Sequence, residues 1–295
     1  MSDSVNINLW PGTPPGGDGV KPENRIQDLS GMTKHVPEPV VFAIGTPYLI
    51  PCIAPRPNGA AVVIIPGGGY GQIWYGKEGL DIAARLAEAG MTSFVLQYRL
   101  PCGGWAQRQD VPMQDAMRAM RLIRRDAAKF GIDPAKLGAM GFSAGGHLTA
   151  TLATRSDAKV YDAVDEADAL SARPAFACLM YPVVTMGAGT HQGSRDNLLG
   201  PDLSPEKIAA YSCEKLVTGQ TPPTFIAHAV DDELVPFGAN SMAMYKALQA
   251  AKVPSELHAF QSGGHGFALR DMAGKPFAAW PDLFLAWAKS HNFIT

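Results

Sequence analysis

The chain has 295 residues, 46% hydrophobic and 18% charged, with a net charge of −2. That is an ordinary globular balance, long enough for one large α/β domain or two small ones. It supplies no field for nucleic acid or anionic membrane, and no apolar stretch approaches the ~18 residues of a membrane span. In chain order, the N-terminus "MSDSVNINLW" lacks the basic and apolar blocks of a signal peptide. A cytoplasmic location is expected by default, or a periplasmic or secreted one if the chain is already processed. Residues 11–60 are rich in Pro and Gly, and "PVVFAI" and "PYLIPCIA" read as antiparallel edge strands. Strand "VVIIP" and the turn "GGGYG" then lead to helix "GLDIAARLAEAG", stopped by Gly90, and to strand "TSFVLQY". Residues 112–130 are predicted as one helix, with Met113, Ala116, Met117, Met120, Ala127 and Phe130 on one face. Strand "KLGAMGF", helix "AGGHLTATLAT" and strand "FACLMYPVV" follow. After them come strand "TFIAHAV", helix "NSMAMYKALQAA", strand "SELHAF" and helix "WPDLFLAWAKS". Alternating strands and helices predict a single α/β domain, 1–295, with a mostly parallel sheet covered on both faces. Residues 185–223 are long for a connection and read as an irregular, lid-like insertion. The four cysteines have no C-x-x-C spacing, which argues against zinc, and Cys178 reads as core.

A strand running into a glycine turn holds either a phosphate or the charge of a reaction intermediate. The dinucleotide pattern G-x-G-x-x-G fails at Gln72 from Gly67 and at Trp74 from Gly69. A P-loop spacing is met by Gly71, Gly76 and Lys77, but Glu78 stands where magnesium needs Ser or Thr. Phosphate binding is therefore rejected, and the other reading requires a nucleophile.

Gly141-Phe142-Ser143-Ala144-Gly145 fits G-x-S-x-G at a strand-to-helix junction, the context of a nucleophile elbow. Ser143 there needs a base and a group to orient it. His265, flanked by Gly263, Gly264 and Gly266 after a late strand, is the candidate base. His228 and His258 read as packing residues inside strands, and His147 as facing the sheet or a neighbouring loop. His35, His191 and His291 lie in polar, surface-like text. Asp231 and Asp232 compete for the acid, each following strand "TFIAHAV".

With these pieces the chain resembles the α/β-hydrolases, whose acid loop commonly reads H-G-x-x-D-x-x-V-P. "HAVDDELVP" is similar from His228 to Pro236 and places the acid on Asp232. The resemblance to lipases and esterases also gives "PGGGY" the role of the H-G-G-G oxyanion loop, with Pro66 in place of His. It implies that Gly68 and Gly69, with Ala144, donate N–H groups to the tetrahedral oxygen. "NLWPGTPPG", "IIPGGGYG", "KEG", "QYRLP", "GFSAGGHL", "MYPVVTM", "GSRDNLLG", "TPPTFIAHAVDD" and "GGHGF" look like bacterial acetylxylan-esterase-like proteins. That resemblance implies removal of acetyl, or another short acyl group, from a plant polysaccharide or its oligosaccharides, with no metal or cofactor. Tyr70, Trp74, Tyr75, Trp105 and Arg195 are the candidate substrate contacts, and Tyr70, Ile73, Trp74 and Tyr75 are expected to wall the acyl pocket short. A general carboxylesterase, a peptidase of the prolyl-oligopeptidase type and a non-catalytic binding module stay open beside this reading. No nucleic-acid or membrane partner is expected.

Overall fold

The computed structural model describes residues 5–20, 23–32 and 36–294. Its main sheet has eight strands in the order β1 (Ile7–Asn8), β4 (Tyr48–Cys52), β6 (Thr92–Gln97), β5 (Ala61–Ile65), β7 (Leu137–Phe142), β8 (Ala177–Met180), β9 (Thr224–Ala229), β10 (Ser255–Phe260). β1 and β4 pair antiparallel, and β6 through β10 run parallel. β4 is the antiparallel strand near the edge that "PYLIPCIA" foretells. β3 (Pro39–Ala43) instead pairs with β2 (Arg25–Asp28) in a separate two-stranded sheet.

Alternation along the central strands feeds two cores, as expected where both faces of a sheet are covered. Ala61, Val63 and Ile65 of β5 face α2 (Val111–Arg125) and α3 (Ala144–Arg155). Val62 and Ile64 face the opposite way, towards α1 (Asp81–Glu88) and α7 (Trp280–Ser290). α6 (Ser241–Ala250) closes a third cluster against β8 and β9. The chain reverses direction across the sheet at β5 and β7, and that switch point opens a crevice at the strands' C-terminal ends.

Three expected elements differ. The helix over 112–130 stops at Arg125, where Asp126 turns back to pair with the Arg125 guanidinium. A 3-10 turn, Ala127–Phe130, then carries Phe130 onto Phe94. Strand "FACLMYPVV" ends at Met180, because Tyr181 has φ 35° and Pro182 lacks the N–H a ladder requires. The stretch 185–223 is not irregular: it carries α4 (Gln192–Leu199), α5 (Pro205–Ala210) and a 3-10 turn, Cys213–Lys215. Among the described residues no helix is long and apolar enough to cross a membrane.

Candidate active site

Four loops leave the C-terminal ends of β5, β7, β9 and β10 and converge. The turn after β7 holds Ser143 at φ 53°, ψ −118°, a strained conformation that aims its side chain out of the sheet. The glycines two residues either side are obligatory. A Cβ on Gly141 would lie 2.1 Å from Gly145 O, and one on Gly145 would lie 2.0 Å from Ile65 O. β8 and its exit clamp the Ser143 backbone, whose N–H donates to Met180 O and whose carbonyl accepts from Val183 N, both at 3.0 Å.

His265 lies over the elbow, with Nε2 2.8 Å from Ser143 Oγ and Nδ1 2.7 Å from Asp232 Oδ2. A carboxylate only accepts, so the proton sits on Nδ1 and Nε2 is free to accept from the serine. Asp232 is oriented by three further donors. Leu234 N and Val235 N reach Oδ1 at 2.9 and 2.8 Å, and His228 Nε2 reaches Oδ2 at 3.0 Å. Burial alone would raise the Asp232 pKa, but the hydrogen bonds from His228 and His265, the His265 charge and the Val235 amide together hold it well below the usual carboxylate range. Asp231 points elsewhere: its Oδ1 accepts from Gly263 N and Gly264 N at 2.9 and 2.8 Å, pinning the histidine loop.

The glycine loop lies directly against the elbow. Gly68 and Gly69 line a cavity of about 440 Å³ together with Ser143 and His265. Ala144 opens α3 immediately behind the serine. The N–H groups of Gly68, Gly69 and Ala144 have no acceptor among the described residues, and positive φ at Gly68 and Gly69 shapes the loop. Although Pro66 replaces the expected His, the loop is anchored. Tyr98 Oη donates to Pro66 O at 3.0 Å, and Asn197 Nδ2 of α4 donates to Gly69 O at 2.8 Å.

The expected substrate contacts separate sharply. Trp74 lines the cavity, its ring 5.1 Å from Lys77 Nζ. Tyr70 does not: it is buried, and its hydroxyl meets His147 Nδ1 at 2.7 Å. Ile73 is buried as well, exchanging backbone hydrogen bonds with Val41, and Tyr75 packs against the core. Trp105 is buried over the Arg99 guanidinium, with its indole N–H on Leu100 O. Arg195 pairs with its neighbour Asp196 on α4 and is absent from the cavity wall.

The histidines also sort themselves. His228, read as packing, orients Asp232 and is itself fixed by Ser241 Oγ at 2.7 Å. Its i,i+4 spacing to Asp232 was the available signal. His191, read as surface, lines the cavity beside Gly69. Its Nδ1 caps α4 by accepting from Ser194 N, which leaves the proton on Nε2. Burial, then the nearby His265 charge, lowers the His191 pKa, so it stays a neutral donor. His147 is buried between loops, as expected, with Nε2 donating to Tyr211 O at 2.8 Å. His258 pairs with Glu256, and His291 caps the end of α7 at Trp287 O. His35 lies outside the described residues.

The sheet order, the elbow and the converging loops define an α/β-hydrolase fold carrying a hydrogen-bonded Ser–His–Asp chain. Within that class the chain belongs to the BD-FAE family, whose model matches residues 54–248. A stretch of 221 residues, 73% of the chain, is 36% identical to the acetylxylan esterase of Xylanibacter ruminicola and covers 43% of that protein. A stretch of 219 residues, 74% of the chain, is 37% identical to endo-1,4-beta-xylanase B of Butyrivibrio fibrisolvens and covers 34% of it. The chain thus spans less than half the length of these two curated relatives. It also superposes on the acetyl ester-xyloside bifunctional hydrolase from Caldicellulosiruptor lactoaceticus, with TM-score 0.79, 31% identity, and coverage of 99% of this chain and 97% of that one.

Proposed function

We propose that the protein is a serine esterase that removes acetyl, or another short acyl group, from xylan-type carbohydrate. The observation that carries this reading is the Ser143–His265–Asp232 chain, with hydrogen bonds of 2.8 and 2.7 Å, opening onto the Gly68 and Gly69 amides, which have no acceptor among the described residues. Ser143 Oγ attacks the ester carbonyl while His265 Nε2 takes its proton. The oxyanion is received by the N–H groups of Gly68, Gly69 and Ala144, preorganised donors at the N-terminus of α3. His265 then returns the proton to the leaving sugar oxygen, and water repeats the sequence on the acyl-enzyme.

The cavity wall and the relatives together support this substrate class. Gln72, Lys77, His191 and Asn197 surround the reaction centre with polar groups, and Trp74 offers an aromatic face. Such a wall suits a hydroxylated sugar better than an alkyl chain. Acetate release from acetylated xylo-oligosaccharides, measured beside p-nitrophenyl acetate, tests the reading; both should be turned over. Turnover of aryl esters alone would leave a general carboxylesterase. Cleavage of an aminoacyl nitroanilide would move the reading to a peptidase.

A further inference from the structure

Between the glycine loop and α1 the chain makes a single π-helical turn, Gly76–Leu80, closed by Leu80 N donating to Tyr75 O at 2.8 Å and by Asp81 N donating to Gly76 O. Wide turns of this kind are rare and recur at functional sites. This one turns Glu78 inward until the residue is 3% exposed, at the wall of the cavity that holds Ser143. A buried carboxylate is costly unless its oxygens are used, and both are. Oε2 accepts from Gly67 N at 2.7 Å, and Oε1 accepts from Tyr181 Oη at 3.0 Å.

The two partners touch different members of the reaction centre, Gly67 the serine and Tyr181 the histidine. Gly67 is where the glycine loop touches the elbow: a Cβ there would stand 2.8 Å from Ser143 Cβ and 2.9 Å from Glu78 Oε2. Tyr181, held at φ 35°, meets the His265 ring edge-on with centroids 5.2 Å apart. Burial, reinforced by the Glu78 charge, keeps its phenol protonated and so a donor. The acyl-transfer chemistry assigned above makes no use of Glu78. Pro66, in the position where the resembling esterases carry His, has no N–H and no polar side chain, so that end of the loop is held through its carbonyl, by Tyr98 Oη, and through the Gly67 N–H, by Glu78.

We propose that Glu78 is a positioning residue that fixes the oxyanion loop through Gly67 and the His265 ring through Tyr181, at the separation the tetrahedral intermediate requires. The inference rests on the esterase reading. Its test compares Glu78→Leu, which keeps the bulk and removes both acceptors, with Glu78→Gln. The glutamine oxygen can accept from Gly67 N while its NH₂ donates to the Tyr181 oxygen. Rates on p-nitrophenyl acetate are expressed per active site, counted by organophosphate titration.

Glu78→Leu should lower kcat about 100-fold, the scale of losing one oxyanion donor, with KM changed by less than about threefold. It should weaken an alkylboronic acid, which forms a tetrahedral adduct on the serine, by a similar factor. Glu78→Gln should recover at least about tenfold of the lost kcat. Unchanged kcat per titrated site in Glu78→Leu, or a glutamine variant no better than the leucine one, would overturn the proposal. If Glu78→Leu does not fold, Tyr181→Phe cuts one arm only and should lower kcat about threefold to tenfold at constant KM; wild-type kcat there would overturn it equally. A wild-type protein inert towards p-nitrophenyl acetate would instead sink the esterase reading on which the inference stands.

Discussion

Asp232→Asn probes the site with a change of one atom, and the structure fixes where that atom goes. Oδ1 of Asp232 accepts from two backbone amides, Leu234 N and Val235 N. An asparagine must keep its oxygen there, so its NH₂ replaces Oδ2 and faces His265 Nδ1 and His228 Nε2. The NH₂ can only donate, which drives the His265 proton from Nδ1 to Nε2. Nε2 then no longer accepts from Ser143 Oγ, 2.8 Å away. Forcing the wrong tautomer lowers kcat by about 10⁴ in serine hydrolase triads, roughly 5 kcal/mol of transition-state stabilisation. Initial rates on p-nitrophenyl acetate at pH 7 measure the effect. Asp231→Asn is the matched control. It keeps an amide oxygen for the Gly263 and Gly264 N–H groups and should lose less than about tenfold. A loss at Asp231→Asn equal to that at Asp232→Asn would refute the reasoning.

Other expectations follow from neighbouring contacts. Asn197→Ala removes the side-chain donor on Gly69 O and should lower kcat about fivefold with a smaller change in KM; an unaltered kcat would mean the loop holds itself. Burial lowers the His147 pKa to about 4 from an ordinary 6.5, against the Tyr211 carbonyl bond that raises it. The unfolded chain therefore binds the extra proton between those values, and this group's contribution is complete above pH 6.5 and lost as pH falls towards 4. Chemical denaturation should show up to about 3 kcal/mol of such loss, and His147→Gln should flatten the slope; an equal slope in that variant would contradict the assignment. In an acyl series from acetyl to octanoyl, Trp74 and Leu234 are the large apolar side chains of the cavity wall, so added methylenes should gain far less than the ~0.8 kcal/mol of full burial. kcat/KM should be highest at acetyl; a steady rise to hexanoyl would point to lipid-like esters.

The parts of this site written in local geometry were legible in the sequence. Ser143 and its flanking glycines announce a turn that no larger residue survives, and the glycines around His265 mark a loop free to aim an imidazole. The strand-and-helix order was readable because buried parallel strands are continuous apolar runs. The pocket wall was not, and the stretch 70–75 shows why. Ile73 re-enters the structure by bridging Val41, so the segment alternates like a strand. Gln72 and Trp74 face the cavity, while Ile73 and Tyr75 face the core. A loop expected to offer four bulky side chains to the acyl group offers one. Trp105 misled similarly: its ring covers Arg99, which is buried in a pair with Asp115, and no spacing in the intervening loop encodes that contact. His191 entered the site only through the placement of α4, and no local pattern in "GTHQGSRD" encodes that packing.

Labelling the nucleophile is the most direct test of the central claim. The protein is incubated with diethyl p-nitrophenyl phosphate, and released nitrophenol, residual p-nitrophenyl acetate turnover and the modified peptide are followed together. One phosphoryl group per chain is expected, on Ser143, with activity lost in proportion, and neither labelling nor turnover in Ser143→Ala. Label on another residue, or a Ser143→Ala variant that keeps a tenth of the activity, would contradict it.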